Sequence, residues 1–386
     1  MKIIGLITED YWHGGLARFN ANLIKYWGDK NTKIIVFTNR KNLAIKKNAD
    51  NPNLDIVYFN FTTVNSGVGK KQSLFSKAFK KTIFKYFFFI FRYFTLKRIF
   101  RRHNVDQWII SNGGYPGSDL CRLSLLVLKR QKGIFVFHGM VQKPRLFLNF
   151  IERLLDKIIF CKNKFDIVTV SHTNAQSVSQ RPWIKSPEIK VIYNGIKQPA
   201  KIKNHNLSSG DRIVAMASGL RSYKGQRVVI QAAEYLKSEG FGLKVRFYGS
   251  DFRKFTVEIE EMIKNSLYPE IFSLPGFCPV DRIMDEADLV VVPSLVYESF
   301  GYTAAEAMAY GVPVIASDVG GLPEVIENAG VICKAGNVER WASAIKNILT
   351  NNKLRQVYIE RGRKRSKDNF SIEDMVMNYK RLLIQK

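Results

Sequence analysis

L-V-V-V-P-S-L-V-Y-E-S-F-G-Y-T-A-A-E-A-M-A-Y-G-V-P-V-I-A, Leu289 to Ala316, reads as strand, loop, helix and strand in succession. Leu289–Pro293 is a short apolar run that stops at Pro293-Ser294, as a buried strand does. Helix signals begin near Gly301 and continue through Thr303–Tyr310, and Pro313–Ala316 is apolar again. Such a succession is the repeating unit of a parallel α/β sheet covered on both faces. Within it Glu298 falls on the loop and Glu306 on the second turn of the helix.

The alternation extends in both directions. Upstream of a seam, the expected strands are Lys2–Thr8, Thr32–Thr38, Leu54–Phe59, Val105–Ser111, Gly133–Phe137, Phe165–Ser171 and Lys190–Tyr193. Helical patterns at Gly15–Trp27, Ser118–Arg130 and Arg145–Cys161 separate several of them. Asn194-Gly195 is a turn signal, and Lys197–Gly210 is polar and aperiodic. Strands then resume at Ile213–Ala217 and Leu243–Tyr248, with helices at Gly225–Lys237, Val257–Ser266, Val338–Thr350, Lys353–Lys367 and Ser371–Gln385. The expected architecture is two doubly wound, Rossmann-like α/β domains facing across a cleft: 1–197, a linker over 198–210, and 211–370. A final helix over 371–386 is expected to pack back on the first domain. In such sheets ligands bind at the carboxyl ends of the strands.

The 386 residues hold 46% apolar and 12% aromatic residues, which excludes global disorder. The net charge of +27 is unevenly placed. Residues 1–195 carry 33 Lys/Arg against 11 Asp/Glu, a net of +22, and residues 196–386 carry 27 against 22, a net of +5. The first half therefore expects an anionic neighbour: nucleic acid, phospholipid or a phosphorylated substrate. Cys121, Cys161, Cys278 and Cys333 are scattered, and neither C-x-x-C nor H-E-x-x-H occurs, so no zinc site or disulfide framework is indicated. The start reads as a strand meeting Glu9 and Asp10, not as a signal peptide. No apolar run approaches the roughly 20 residues of a membrane-spanning helix.

Glu298 and Glu306 flank a helix start where the N–H groups of Phe300, Gly301 and Tyr302 are available to a phosphate. Gly301 leaves room for a ligand to approach the backbone, and Thr303 adds a hydroxyl. Carboxylates beside such a site suit sugar hydroxyls, which are neutral donors in need of strong acceptors. Taken alone, the same spacing also fits an ordinary buried helix with two incidental acids.

The longer run Tyr297–Ile326, Y-E-S-F-G-Y-T-A-A-E-A-M-A-Y-G-V-P-V-I-A-S-D-V-G-G-L-P-E-V-I, resembles the donor-site signature of the family 4 glycosyltransferases, retaining enzymes of the GT-B architecture. Four further stretches resemble that family in the same order: Gly14-Gly15 followed by Arg18, His138-Gly139, Val191–Ile196, and A-S-G-L-R-S-Y-K-G over Ala217–Gly225. The resemblance implies roles. Glu298 would orient the donor sugar through a hydroxyl, and Glu306 would hold the nucleotide ribose. Lys224 would neutralise the departing diphosphate, with backbone amides of Phe300, Gly301 and Tyr302. His138 would touch the sugar from the other domain, and Gly14 and Gly15 would admit diphosphate and acceptor. The family usually has an arginine five residues before the lysine. Gly219 stands there, and Arg221 is the candidate replacement. The resemblance favours front-face substitution over a covalent adduct on Glu298. A lysine and helix-end amides suffice for such a leaving group without a metal or other cofactor.

Lys70–Arg102 carries eleven Lys/Arg and no acid among clustered aromatics. At helical spacing Lys77, Lys81, Lys85 and Arg92 share one face, and Phe75, Phe79, Tyr86, Ile90 and Tyr93 fall on the other. Phe84 and Phe88 lie on the basic side, which core packing does not explain. The pattern fits a helix on an anionic bilayer better than a nucleic-acid surface. S-G-V-G-K-K at Ser66–Lys71 lacks the first glycine and the final Ser/Thr of a Walker loop. D-E-A-D at Asp285–Asp288 is a helix end, and His13, His103, His172 and His205 receive no role. The leading expectation is a cytoplasmic transferase, peripheral on the inner membrane face, that moves a sugar from a UDP- or GDP-linked donor to a lipid-linked or lipopolysaccharide-type glycan. A nucleotide-sugar 2-epimerase of the same fold and a non-enzymatic polyanion binder are the alternatives.

Overall fold

Seven strands of the N-terminal sequence pair in one all-parallel sheet. They are β1 (Lys2–Thr8), β2 (Thr32–Asn39), β3 (Leu54–Phe59), β4 (Gln107–Asn112), β5 (Gly133–Phe137), β6 (Phe165–Thr169) and β7 (Ile189–Val191), in the order β3-β2-β1-β4-β5-β6-β7. The G-I-F-V-F of β5 is buried along its whole length, because helices cover both faces of its sheet. Helices α1 (Gly15–Tyr26), α2 (Ser76–Arg101), α3 (Asp119–Leu128), α4 (Asn149–Phe160) and α5 (His172–Val178) connect them. The computed structural model describes residues 1–10, 14–28, 31–39, 45, 53–59, 76–144, 149–184, 188–200, 211–249 and 253–384; side chains at 76–88, 149 and 253–255 are outside that description. The first four residues expected in α4, much of the expected linker (201–210), Ser66–Lys71, His13 and His205 lie outside it too.

The chain divides into unit 1, Met1–Ile192 with Val376–Lys386, and unit 2, Tyr193–Met375. The boundaries expected from the sequence fall at 197 and 371. The last helix of the chain, Ile372–Ile384, therefore ends in unit 1. There the Tyr379 ring packs 5.5 Å from Phe19, Lys380 Nζ sits 5.4 Å over the Trp27 ring, and Gln107 Nε2 donates to the Leu383 carbonyl.

The steps β3→β4, β4→β5 and β5→β6 run in one direction, so right-handed crossovers put α2, α3 and α4 on one face of the sheet. Phe89, Leu96 and Phe100 of α2 join Trp108, Phe135 and Ile159 in the core beneath them. Ile90 is 64% exposed and Tyr93 only half-buried, while Phe89, not Ile90, meets the core. Aromatics surround this helix, so periodicity alone selects no side; contact with the sheet does. Under α4, Arg181 is buried between Glu152 (2.7 Å) and Asp156 (2.9 Å), and its Nε donates to the Gln142 carbonyl at 2.7 Å. Tyr115 donates its hydroxyl to Asp156, and burial pushes its pKa far above the ordinary phenol value.

Unit 2 repeats the design with six parallel strands: β8 (Arg212–Ala217), β9 (Leu243–Tyr248), β10 (Phe272–Gly276), β11 (Leu289–Val292), β12 (Val314–Ser317) and β13 (Val331–Cys333), in the order β10-β9-β8-β11-β12-β13. The helices are α6 (Gln226–Ser238), α7 (Arg253–Lys264), α8 (Val280–Glu286), α9 (Tyr302–Tyr310), α10 (Leu322–Ile326), α11 (Val338–Thr350) and α12 (Asn352–Asn369), and α13 is Ile372–Ile384. The strands β10 and β13 escaped the sequence reading for a physical reason. Both are edge strands; β10 contains Pro275, which an edge tolerates, and β13 has only three residues. Strand order reverses between β1 and β4 in unit 1 and between β8 and β11 in unit 2. Such reversals open crevices at the carboxyl ends of the strands.

Candidate functional site

In unit 2 the loops after β8 and β11 meet at the reversal. The Leu295 N–H donates to the Tyr223 carbonyl at 2.8 Å, and the Thr303 hydroxyl donates to Ala217 at the end of β8, also at 2.8 Å. Gly225, at φ +87°, lies so close to the Pro293 carbonyl that a Cβ would collide with it. From behind, Gly320 at φ +58° abuts the Glu298 backbone, and the Gly321 N–H donates to the Glu298 carbonyl at 2.7 Å. Both glycines are needed for left-handed backbone as well as for close approach.

So held, Glu298 accepts from Lys224 Nζ at 2.5 Å and from the Ser294 hydroxyl at 3.4 Å. The Lys224 and Glu298 side chains are each 24% exposed, neither closed into a core nor free in solvent. A partly exposed pair contributes about 1 kcal/mol or less to stability, so folding alone does not account for this much scaffolding. Glu306 is buried on the second turn of α9. Arg221 donates from Nη1 to the Tyr223 hydroxyl at 2.9 Å and lies 5.9 Å from that ring's centre. The Gly219 carbonyl accepts from Gln226 Nε2 at 3.2 Å.

Gly301, at φ +92°, is the N-cap of α9, and Leu322 Cδ2 stands 2.5 Å from where its Cβ would be. The glycine thus serves the left-handed turn and the packing of Leu322. Phe300 is buried with its ring 5.3 Å from Phe370 and 5.4 Å from Tyr302, so only its backbone is offered. Among the described residues nothing accepts from the N–H groups of Phe300 and Gly301.

In unit 1, Gly14 is the N-cap of α1, and a Cβ there would meet nothing within 4 Å. Gly15 begins the helix, and the Gly14 carbonyl accepts from Arg18 N at 3.1 Å. His138 follows β5; its N–H donates to the Asn112 carbonyl at 2.8 Å, and its ring lies 4.2 Å from Phe19. His138 as a residue is partly exposed, but Nε2 is enclosed and has no hydrogen-bond partner. Burial pushes its pKa down to about 3. A neutral imidazole there can donate to or accept from a hydroxyl without bringing a charge.

This has a pH signature. An unfolded histidine takes up a proton near pH 6.5, and His138 in the fold does not until near pH 3, so between them the unfolded state binds more protons. Stability from this group is present above pH 6.5 and is lost on acidification, by up to about 1.4 kcal/mol per pH unit. Denaturant melts at pH 6.5, 5.5 and 4.5 are expected to be less steeply pH-dependent for His138→Gln than for the unmodified chain.

Sequence reasoning missed Ser294, Tyr223 and Gly320, whose roles depend on pairing between loops distant in the chain. It also missed Glu9. Ser118 sits at the N-cap of α3 in a left-handed conformation and makes no side-chain cap bond, and Glu9 accepts from the Leu120 N–H instead, at 3.0 Å. Among the described residues no group of three or more His, Cys, Asp or Glu is disposed to hold a metal ion.

Two family models match adjoining stretches of the chain. "Glycosyltransferase Family 4" matches residues 13–198 and "Glycosyl transferases group 1" matches 197–365. The capsular polysaccharide biosynthesis glycosyltransferase CapM of Staphylococcus aureus is 24% identical over 298 residues, 72% of this chain and 76% of CapM. A glycosyltransferase from Rickettsia africae superimposes with a TM-score of 0.77 at 21% identity, covering 99% of this chain and 98% of that one. Anabaena Alr3699/HepE, solved in complex with UDP, gives a TM-score of 0.73 at 16% identity over the full length of both chains. Its complex with UDP-glucose gives 0.72 at 15%, also over both full lengths.

Proposed function

Because the chain belongs to the family 4 glycosyltransferases and has their GT-B pair of Rossmann-like domains, we propose that it is a retaining transferase. It would move a sugar from a UDP- or GDP-linked donor to a lipid-linked, lipopolysaccharide-type or capsule-type glycan. The observation that carries this reading is the Lys224–Glu298 pair, 2.5 Å apart at the strand-order reversal of unit 2. A diphosphate entering beside Lys224 competes for its ammonium, and Glu298 is then free to accept from sugar hydroxyls. As the C1–O bond to phosphate breaks, negative charge gathers on the leaving group. Lys224, Arg221 and the N–H groups of Phe300, Gly301 and Tyr302 stabilise it. The acceptor oxygen bonds to C1 on the same face, and its proton passes to the departing phosphate.

Glu306 is assigned to the ribose and Thr303 to orienting the helix start. In unit 1, His138, Gly14 and Gly15 are assigned to the sugar and acceptor side. Because Lys224 and the amides supply the positive charge, turnover is expected to survive a chelator. The complexes of HepE with UDP and UDP-glucose make uridine the first base to test. The name of CapM favours a cell-surface polysaccharide as acceptor. The basic aromatic stretch 70–102 would hold the enzyme on the inner face of the cell membrane. No described helix is long and apolar enough to cross a membrane.

A thermal-shift screen of UDP- and GDP-sugars tests the donor. Ligand at 100 times its dissociation constant adds about 2.7 kcal/mol of stability. Release of nucleoside diphosphate with sugar transfer to a glycan supports the reading. A 2-epimer formed without acceptor would identify the epimerase instead, and no shift with any sugar nucleotide would overturn both.

A further inference from the structure

On the α2–α4 face of unit 1, the outer side of α4 is apolar in a way that folding does not use. Phe150 is 80% exposed, and Ile151, Leu154 and Ile158 are exposed on the same side. Phe150, Leu154 and Ile158 follow one another at helical spacing. The two acids of this helix, Glu152 and Asp156, point the other way and are buried against Arg181. The exposed charged residues of 150–164 are therefore all basic: Arg153, Lys157, Lys162 and Lys164. Lys157 Nζ lies 4.8 Å over the ring of the half-exposed Trp183.

The outer side of α2 matches it. Ile90, Phe91 (70% exposed) and Phe94 face solvent, followed by exposed Arg98, Arg101 and Arg102. Helix α3 lies between α2 and α4 and is itself mostly buried. Two apolar stripes, each accompanied by basic residues and neither by an exposed acid, thus flank one covered helix. Surfaces with apolar side chains amid Lys and Arg suit the boundary of an anionic bilayer, where the rings enter the acyl region and the cations meet headgroups.

We propose that α4 is a second lipid-facing element, which docks unit 1 on an anionic membrane surface together with α2. This deepens, and rests on, the reading of 70–102 as membrane-facing. It adds a helix in which the sequence showed no such feature, and commits to anionic phospholipid as the occupant, because the exposed charge is of one sign. An acidic partner protein or a second copy of the chain would use the same residues differently and is separated by experiment.

The test is co-flotation with vesicles of phosphatidylglycerol and phosphatidylcholine, against vesicles of phosphatidylcholine alone. The substituted residues are exposed, so the variants should melt like the parent. The unmodified chain is expected to float with the anionic vesicles only. Phe150→Ser with Leu154→Ser is expected to reduce the bound-to-free ratio at least tenfold, as is Phe91→Ser with Phe94→Ser. If the α2 variant loses flotation and the α4 variant floats like the parent, the proposal for α4 fails and the α2 reading stands. If the unmodified chain floats with neither vesicle, both fail. A dimer in sedimentation equilibrium that the α4 variant abolishes, with flotation unchanged, would assign the stripe to a second copy and overturn the proposal.

Discussion

Glu298→Gln is expected to lower turnover by about 10²- to 10³-fold while the donor still binds. The glutamine keeps the shape of the side chain and its place behind the Gly321 N–H, since that bond goes to the backbone. What it removes is the charge facing Lys224 and the acceptor strength offered to a sugar hydroxyl. Lys224→Ala should behave differently. It removes the cation for the diphosphate, so both donor affinity and turnover should fall, with the larger change in kcat/KM. The contrast is read by measuring donor binding in a thermal shift alongside initial rates. A glycosyl adduct trapped on Glu298 would replace front-face substitution with a double displacement. Unchanged rates in both variants would remove the unit 2 loops from the chemistry altogether.

The second large effect concerns stability. Arg181→Met leaves Glu152 and Asp156 facing each other inside unit 1 without their shared cation. Breaking a buried pair in this way costs about 3 to 5 kcal/mol. Replacing all three residues by apolar ones of similar volume should recover much of that, because the desolvation of three charges is then avoided. Tyr115 loses its Asp156 acceptor in the triple variant, which limits the recovery. Denaturant melts of the single and triple variants decide the matter; equal losses would mean that the network specifies packing beyond its charge balance.

Where a segment obeyed one period and one burial rule, its sequence was legible. The β5 run G-I-F-V-F and the Leu289–Ala316 unit both appear as strand and helix within one or two residues of expectation. The Tyr297–Ile326 signature was legible for a different reason, since the resemblance identifies positions that a single period cannot. Contacts between distant residues were not legible. Nothing local marks Ser294 as a donor to Glu298, or Gly320 as the residue on which the Glu298 backbone rests. The packing of Gly301 against Leu322 was not legible either, because Leu322 lies on another helix. In α2 the aromatics outnumbered what one face can bury, so the choice of Phe89 over Ile90 belongs to the sheet beneath.

The passage of α13 into unit 1 bears on the order in which the polypeptide matures on the ribosome. Phe19 is translated before unit 2, and the ring that covers it, Tyr379, after it. Unit 2 is contiguous, so every segment it needs has been made before unit 1 receives its final helix. This inverts the usual N-terminal-first schedule. Until translation has passed unit 2, Phe19 lacks its cover, and so the imidazole of His138 resting against that ring lacks a settled wall. Clipping the polypeptide ahead of Tyr379 would accordingly be felt at a histidine more than two hundred positions away in the chain.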